Sequence, residues 1–298
     1  MSNVQEIPFS AAPALGEGME ERRIEIDGAR MRYLRAGSGP ALILLHGLLG
    51  YSFSWRFTIP ALAPYATVYA PDLPGAGFSE RPRGMDHSMR ATALRVLEFA
   101  RKLGLSSFDL LGTSRGGAVA MSAAAECLNA GSGLQVRRLI LACPVNPYSS
   151  HGRRLAPLFA TRVGSAAFRW VMETSRGPKL YPRVHGRLFF DRKKIPQGSL
   201  EGYSAPLVIP GLFDHALSIV KTWTADLREL EALLPKLRQT PALLMWGDKD
   251  TAVYVSSMDP LAAHFDNVQK VVFPNIGHLP YEESPQEFNR ALMQFLIQ

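Results

Sequence analysis

A serine stands between two glycines in Gly112-Thr113-Ser114-Arg115-Gly116. A sharp strand-to-helix turn can hold one residue at its apex in a strained backbone conformation, with the side chain projecting freely. Side chains two positions away on either side would collide there, so those positions want glycine. The apolar run "SFDLLG" before the serine supplies a strand and "GAVAMSAAAE" after it supplies a helix. The competing reading is a tight structural turn with a satisfied hydroxyl. A serine hydroxyl is a weak nucleophile near neutral pH; it needs a base, and the base needs an orienting group. Of the seven histidines, His278 follows an apolar run just before the last helical stretch, and His46 ends an earlier run. His87, His151, His185, His215 and His264 sit in polar or helical contexts that suit packing or surface roles. "LLMWGDKDTAV" offers Asp248 and Asp250 directly after another apolar run. Functional groups of an open α/β sheet gather beyond the carboxyl ends of its strands, and on this reading Ser114, Asp250 and His278 each follow a strand.

The elements that must position these residues alternate. "RRIEIDG" and "ARMRYLRAG" read as strands joined at Asp27-Gly28, a hairpin signal. "ALILLHG", "ATVYAPDL", "SFDLLG" and "RRLILAC" are continuous apolar runs, as expected of strands buried on both faces. "MRATALRVLEFARKLG" has helical spacing and stops at Gly104. The pattern changes after Cys143: up to about Pro235 the chain is richer in Arg, Pro and aromatics, with helical pieces such as "AAFRWVMET" and "FDHALSIVKTWTADLRELEALL". Then "TPALLMWG" and "VQKVVFP" resume the strands, and "SPQEFNRALMQFLIQ" closes as a helix. Strands alternating with helices predict an α/β fold, a mostly parallel eight-stranded sheet with helices on both faces. The expected division is a flexible leader over 1–19, a core over 20–145 and 236–298, and a helical cap inserted over 146–235.

The order Ser…Asp…His, together with "HGLLG", "DLPGAGFSE", "GTSRGG", "WGDKD" and "GHLPYEESPQEF", resembles the α/β-hydrolase superfamily over most of the chain. The resemblance implies Ser114 as nucleophile and His278 as general base. In the family's Gly-x-x-Asp pattern Gly247 pairs with Asp250, which makes Asp250 the orienting acid ahead of Asp248. It also implies an oxyanion hole at the backbone N–H groups of Leu48 and Arg115. Fixed donors stabilise the charge that develops on a carbonyl oxygen during attack, and a helix start favours an anion. His46 then holds a loop, and Asp72 fixes a turn. Two residues depart from the family: Thr113 and Arg115 stand where His, Asn or Gly, and uncharged residues, are frequent. A cation at a helix start is unfavourable, so the Arg115 guanidinium is expected to pair with a nearby carboxylate, or alternatively to reach a substrate carboxylate. Haloalkane dehalogenases and epoxide hydrolases of this fold use Asp at the nucleophile position, where this chain has Ser.

These readings imply a serine hydrolase acting on small or medium carboxylic esters through an acyl-enzyme. The alternatives are a C–C bond hydrolase of dienoic ring-cleavage products, disfavoured because "HGLLGY" departs from H-G-x-G-P-G, and a small-molecule receptor that keeps the triad. No metal or organic cofactor is expected, since no Cys/His cluster has zinc spacing and "LPGAGF" lacks the context of a dinucleotide site. The 298 residues, 47% hydrophobic and 20% charged, are an ordinary globular composition with ample apolar material for a core. Cys127 and Cys143 each lie in an apolar run and are expected to be buried thiols. The first residues lack a basic region and an apolar core, and no apolar stretch reaches membrane-spanning length, so a cytoplasmic protein without stable membrane insertion is expected. The net charge of +7 is uneven. His151 to Ile195 holds eleven Lys/Arg and two acids, a balance of +9, leaving −2 elsewhere. Without a recognition motif this is not a nucleic-acid surface. It is expected to be a solvated cap face whose arginine stems cover apolar surface, with steering of acidic substrates or contact with an anionic membrane surface as the rival readings.

Overall fold

A computed structural model describes residues 16–149, 161–173 and 176–297. Eight strands form one sheet in the order β1-β2-β4-β3-β5-β6-β7-β8. They are β1 (Met19–Ile26), β2 (Ala29–Ala36), β3 (Ala41–Leu45), β4 (Thr67–Pro71), β5 (Ser107–Thr113), β6 (Gln135–Ala142), β7 (Ala242–Gly247) and β8 (Val268–Phe273). The β1–β2 and β2–β4 pairs are antiparallel and all others are parallel. The hairpin forms as its sequence demands: Asp27 and Gly28 both take positive φ, and Ile26 pairs with Ala29 across the two-residue turn.

The continuous apolar strands are explained by burial on both faces. Ile43, Leu45, Leu110, Leu139, Leu141, Leu244 and Trp246 face one core, beneath the helices Met89–Lys102, Arg115–Cys127 and Leu212–Leu233. Their alternating neighbours Leu42, Leu44, Leu111, Ile140, Leu243 and Met245 face the other, beneath the C-terminal helix Pro285–Ile297. The Met89–Lys102 helix starts where Ser88 accepts a bond from the Ala91 N–H and ends ahead of Gly104, whose φ is +72°.

Between β6 and β7 the described residues hold no strand and four helices, Arg162–Glu173, Arg176–Gly186, Ser199–Ser204 and Leu212–Leu233, with short 3₁₀ turns. The expected leader falls mostly on residues 1–15, outside the described residues, as do Arg153 and Arg154 of the basic segment. No single helix among the described residues is long and apolar enough to cross a membrane. Cys127 and Cys143 are free and buried.

Candidate active site

Ser114 lies between the end of β5 and the helix Arg115–Cys127, with φ 51° and ψ −124°. Such a conformation costs a non-glycine residue about 1–3 kcal/mol, so its surroundings must hold it. They do so through the main chain. The Ser114 N–H donates to the Ala142 carbonyl (3.0 Å), and the Ser114 carbonyl accepts from Gly117 (3.0 Å) and Val145 (2.9 Å). A β-carbon on Gly112 would run into the Gly116 carbonyl, and one on Gly116 into the carbonyls of Leu45 and His46. Both glycines are therefore needed for close approach. Ser114 is half-buried, while Gly112, Thr113, Arg115 and Gly116 around it are buried, so the apex alone reaches outward.

The structure brings His278 and Asp250 together. His278 Nδ1 lies 2.8 Å from Asp250 Oδ2, and both residues are buried. The second carboxylate oxygen of Asp250 accepts from the Ala252 (2.8 Å) and Val253 (2.9 Å) N–H groups. Those three bonds fix the carboxylate and make Nδ1 the protonated nitrogen of His278, leaving Nε2 as a lone pair. Asp248 is separate: it pairs with Lys249 (3.1 Å) at the surface and accepts weakly from Ile276. Among the described residues no hydrogen bond joins the Ser114 hydroxyl to His278. Hydrogen bonds between a nucleophile and its base are in general often long without substrate and tighten when it binds.

Cys143, the residue after β6, stands beside the pair. Its Sγ, a carboxylate oxygen of Asp250 and a ring nitrogen of His278 lie within 4.8 Å of one another, and its φ is +45°. Burial, and next the Asp250 charge, push the Cys143 thiol well above its ordinary pKa, so it stays an S–H beside the carboxylate. The cluster has the donor types of a metal site. However, His278 Nδ1 cannot both carry the proton it gives Asp250 and bind a cation.

The loop after β3 closes over the serine. A β-carbon on Gly47 would sit 3.0 Å from Ser114 Cβ. Among the described residues the backbone N–H groups of Leu48 and Arg115 have no backbone acceptor. His46 shapes this loop: its Nε2 accepts from the Leu73 N–H (3.0 Å), so its Nδ1–H donates to the Gly47 carbonyl (2.8 Å). Burial holds His46 below the ordinary histidine pKa, which keeps that tautomer neutral. Asp72 is fully buried and fixes a turn as expected. It accepts from the Ser52 (2.8 Å) and Phe78 (2.9 Å) N–H groups and from Arg32 (3.1 Å).

The Arg115 side chain follows neither expected course. It is buried, and its guanidinium donates to the His87 carbonyl (2.7 Å) and the Thr92 hydroxyl (3.2 Å) rather than to a carboxylate. Asp226, on the helix Leu212–Leu233, supplies opposite charge without a direct bond, and burial brings the Arg115 pKa down to about 10. Around this cation the imidazoles stay neutral. Burial, then Arg95 and Arg115, bring His87 down to about 4. His215 stacks edge-on against His87 at 4.3 Å and is held well below its ordinary value, first by burial and then by His87.

Two acidic residues that the sequence reading passed over tie the His278 loop to the helical segment. Glu283 accepts from Gly277 (2.8 Å), beside His278, and from Phe190 (3.1 Å) and Asp191 (2.8 Å). The His278 N–H itself donates to the Leu188 carbonyl (2.7 Å). Glu282 is fully buried and ion-pairs with Arg56, while accepting from Tyr203 (2.7 Å) and Ser199 (3.2 Å). Arg56 lies 4.0 Å from the Phe53 ring centre and 4.3 Å from that of Phe57. In sequence the two glutamates read only as acids ahead of a helix. Nothing in "YEESPQEF" points to partners as far away in sequence as Phe190, Tyr203 or Arg56.

With this geometry in hand, the comparisons with known proteins are specific. Residues 40–285 match the family model described as the alpha/beta hydrolase fold. The chain is 28% identical over 301 residues to haloalkane dehalogenase 2 of Mycobacterium tuberculosis, covering 97% of this chain and 98% of that one. It is similar to a membrane phospholipase A of solved structure (TM-score 0.74, 27% identity, 94% of this chain and 86% of that one). It is also similar to a mutant of the meta-cleavage product hydrolase CumD (TM-score 0.73, 25% identity, 93% and 97%). The eight-stranded sheet, the serine elbow after β5 and these likenesses agree: the chain belongs to the α/β-hydrolase superfamily and is a hydrolase.

Proposed function

We propose that the protein is a serine hydrolase that cleaves small or medium carboxylic esters through an acyl-enzyme. The observation that carries the reading is a strained, outward-facing serine after β5 together with a buried His278–Asp250 pair after β7 and β8, all at the carboxyl ends of parallel strands of one sheet. Ser114 Oγ attacks the ester carbonyl while His278 Nε2 takes its proton. Asp250 keeps the imidazole in the required tautomer and stabilises the imidazolium that forms. The oxyanion of the tetrahedral intermediate rests on the Leu48 and Arg115 N–H groups. Collapse expels the alcohol, protonated by His278. A water deprotonated by the same Nε2 then attacks the acyl-serine, and a second collapse releases the acid and the free serine. Arg115 contributes its main chain only, since its guanidinium faces away among His87 and Thr92.

The likeness to a haloalkane dehalogenase does not transfer as chemistry. Displacement of a halide by an aspartate carboxylate leaves an alkyl ester, which water can hydrolyse at the acyl carbon. The same displacement by a serine hydroxyl would leave an alkyl ether, a dead end. With serine at position 114 an acyl acceptor is the workable nucleophile. The likeness to the meta-cleavage product hydrolase favours C–C bond cleavage as a second reading. One screen separates the two: p-nitrophenyl esters of increasing acyl length beside a dienoic ring-cleavage substrate. Ester turnover without C–C cleavage is expected. Cleavage of the dienoic substrate alone would transfer the assignment to the second reading.

A further inference from the structure

Four apolar residues of the helix Arg162–Glu173 form a stripe that faces outward. Val163, Ala166, Ala167 and Trp170 follow the i, i+3, i+4, i+7 spacing that normally turns toward a core. Here all four are exposed, Val163 at 81% and Trp170 at 60%. The next helix, Arg176–Gly186, packs on it and repeats the arrangement. Tyr181 and His185 are buried toward the protein, while Leu180 and Val184, one turn apart, face solvent. Phe190 is exposed just beyond. Interleaved with these apolar groups are the exposed cations Arg183, Arg187, Arg192, Lys193 and Lys194, within the stretch whose balance is +9.

An exposed apolar stripe with no charge nearby would suit a second copy of the chain. A cationic surface without apolar groups would suit a solvated face. Together they fit a layer that is apolar inside and anionic at its border. We propose that this face adsorbs to anionic phospholipid surfaces, with Trp170, Val163, Leu180 and Val184 entering the headgroup boundary and the flanking Arg and Lys contacting lipid phosphates. Tryptophan suits that depth because its ring is apolar and its N–H is polar. Neither term binds stably alone; an apolar face and a basic patch form the two-signal arrangement that does. The attachment is peripheral, in keeping with the absence of a spanning helix among the described residues.

The test is co-sedimentation of the full chain with vesicles of phosphatidylcholine containing phosphatidylglycerol, against vesicles of phosphatidylcholine alone. Binding is read without turnover, so it stands or falls separately from the ester assignment. The expected result is binding to the anionic vesicles that weakens by about tenfold or more in high salt. It should be lost in the double variant Val163→Glu, Trp170→Glu and reduced in Lys193→Glu, Lys194→Glu, while turnover of a soluble ester by these variants stays near wild type. Absence of binding to anionic vesicles, or equal binding by the Val163→Glu, Trp170→Glu variant, would overturn the proposal. So would a wild-type dimer in light scattering that the same variant dissociates, since a second copy would then be the stripe's occupant.

Discussion

Ser114 and Glu282 are held by opposite means. Around Ser114 the restraint is main chain: backbone bonds at both its N–H and its carbonyl, and two glycines packed against carbonyls. Around Glu282 it is side chain. One buried carboxylate is matched by Arg56, Tyr203 and Ser199, and its neighbour Glu283 gathers three N–H groups from two segments distant in sequence. Main-chain restraint is rigid and local, which suits a residue that must hold a strained φ. Side-chain restraint joins separate parts of the chain, and it is where the helical segment after β6 meets the histidine loop. Losing one partner of a buried ion pair costs about 3–5 kcal/mol, because the other charge stays buried. The helical side should therefore be the more sensitive in folding and the serine side the more sensitive in chemistry.

That contrast is breakable by mutation, beginning with the largest effect. Ser114→Ala should lower kcat for an accepted ester by about 10⁴-fold or more with little change in Tm, since triad members act as a unit. Asp250→Asn should cost roughly a thousandfold, because the imidazolium loses its counter-charge and the tautomer is no longer fixed. Asp248→Asn, at the surface with Lys249, should cost far less. Steady-state kinetics on the three variants checks the ranking, and a reversed order for the two aspartates would reassign the acid. On the other side, Glu283→Gln keeps the shape but presents an amide to three N–H donors. It should reduce kcat by about tenfold, with KM less affected, because His278 loses its exact seat rather than its chemistry. An unchanged kcat would show that the His278 loop holds itself without the helical segment.

The smallest effect is a pH dependence of stability. Burial, then Arg95 and Arg115, lower His87 to about 4, and burial, then Arg56, lower His185 to about 4. Both are neutral in the folded and unfolded chain above pH 6.5. Between pH 6.5 and 4 the unfolded chain binds protons that the folded one refuses. Stability is thus fully present above 6.5 and is lost on acidification at about 1.4 kcal/mol per pH unit for each group. Urea unfolding across that window should show a shallower slope in His87→Asn than in wild type; identical slopes would mean the imidazole titrates normally.

Why some of this was legible in sequence and some was not follows from the same contrast. The strands were readable because each is buried on both faces, which leaves a continuous apolar run such as "ALILL" or "ALLMW". The elbow was readable because its constraint is steric and local, so it fixes glycine at two spaced positions. The turn at Asp27-Gly28 was readable for the same reason. The Arg115 side chain was not: the charge at a helix start called for a carboxylate partner, but the guanidinium instead found a carbonyl and a hydroxyl on the segment His87–Thr92. Nor was Cys143 beside Asp250, or Glu283 across to Phe190. Contacts between residues far apart in sequence leave no periodicity or spacing.

The central claim is that Ser114 is the nucleophile, and active-site labelling with a fluorophosphonate followed by peptide mapping tests it most directly. The account predicts one phosphonyl adduct per chain, on the peptide carrying Ser114, abolished in Ser114→Ala and strongly slowed in Asp250→Asn. An adduct on another residue, or undiminished labelling of Ser114→Ala, would contradict it.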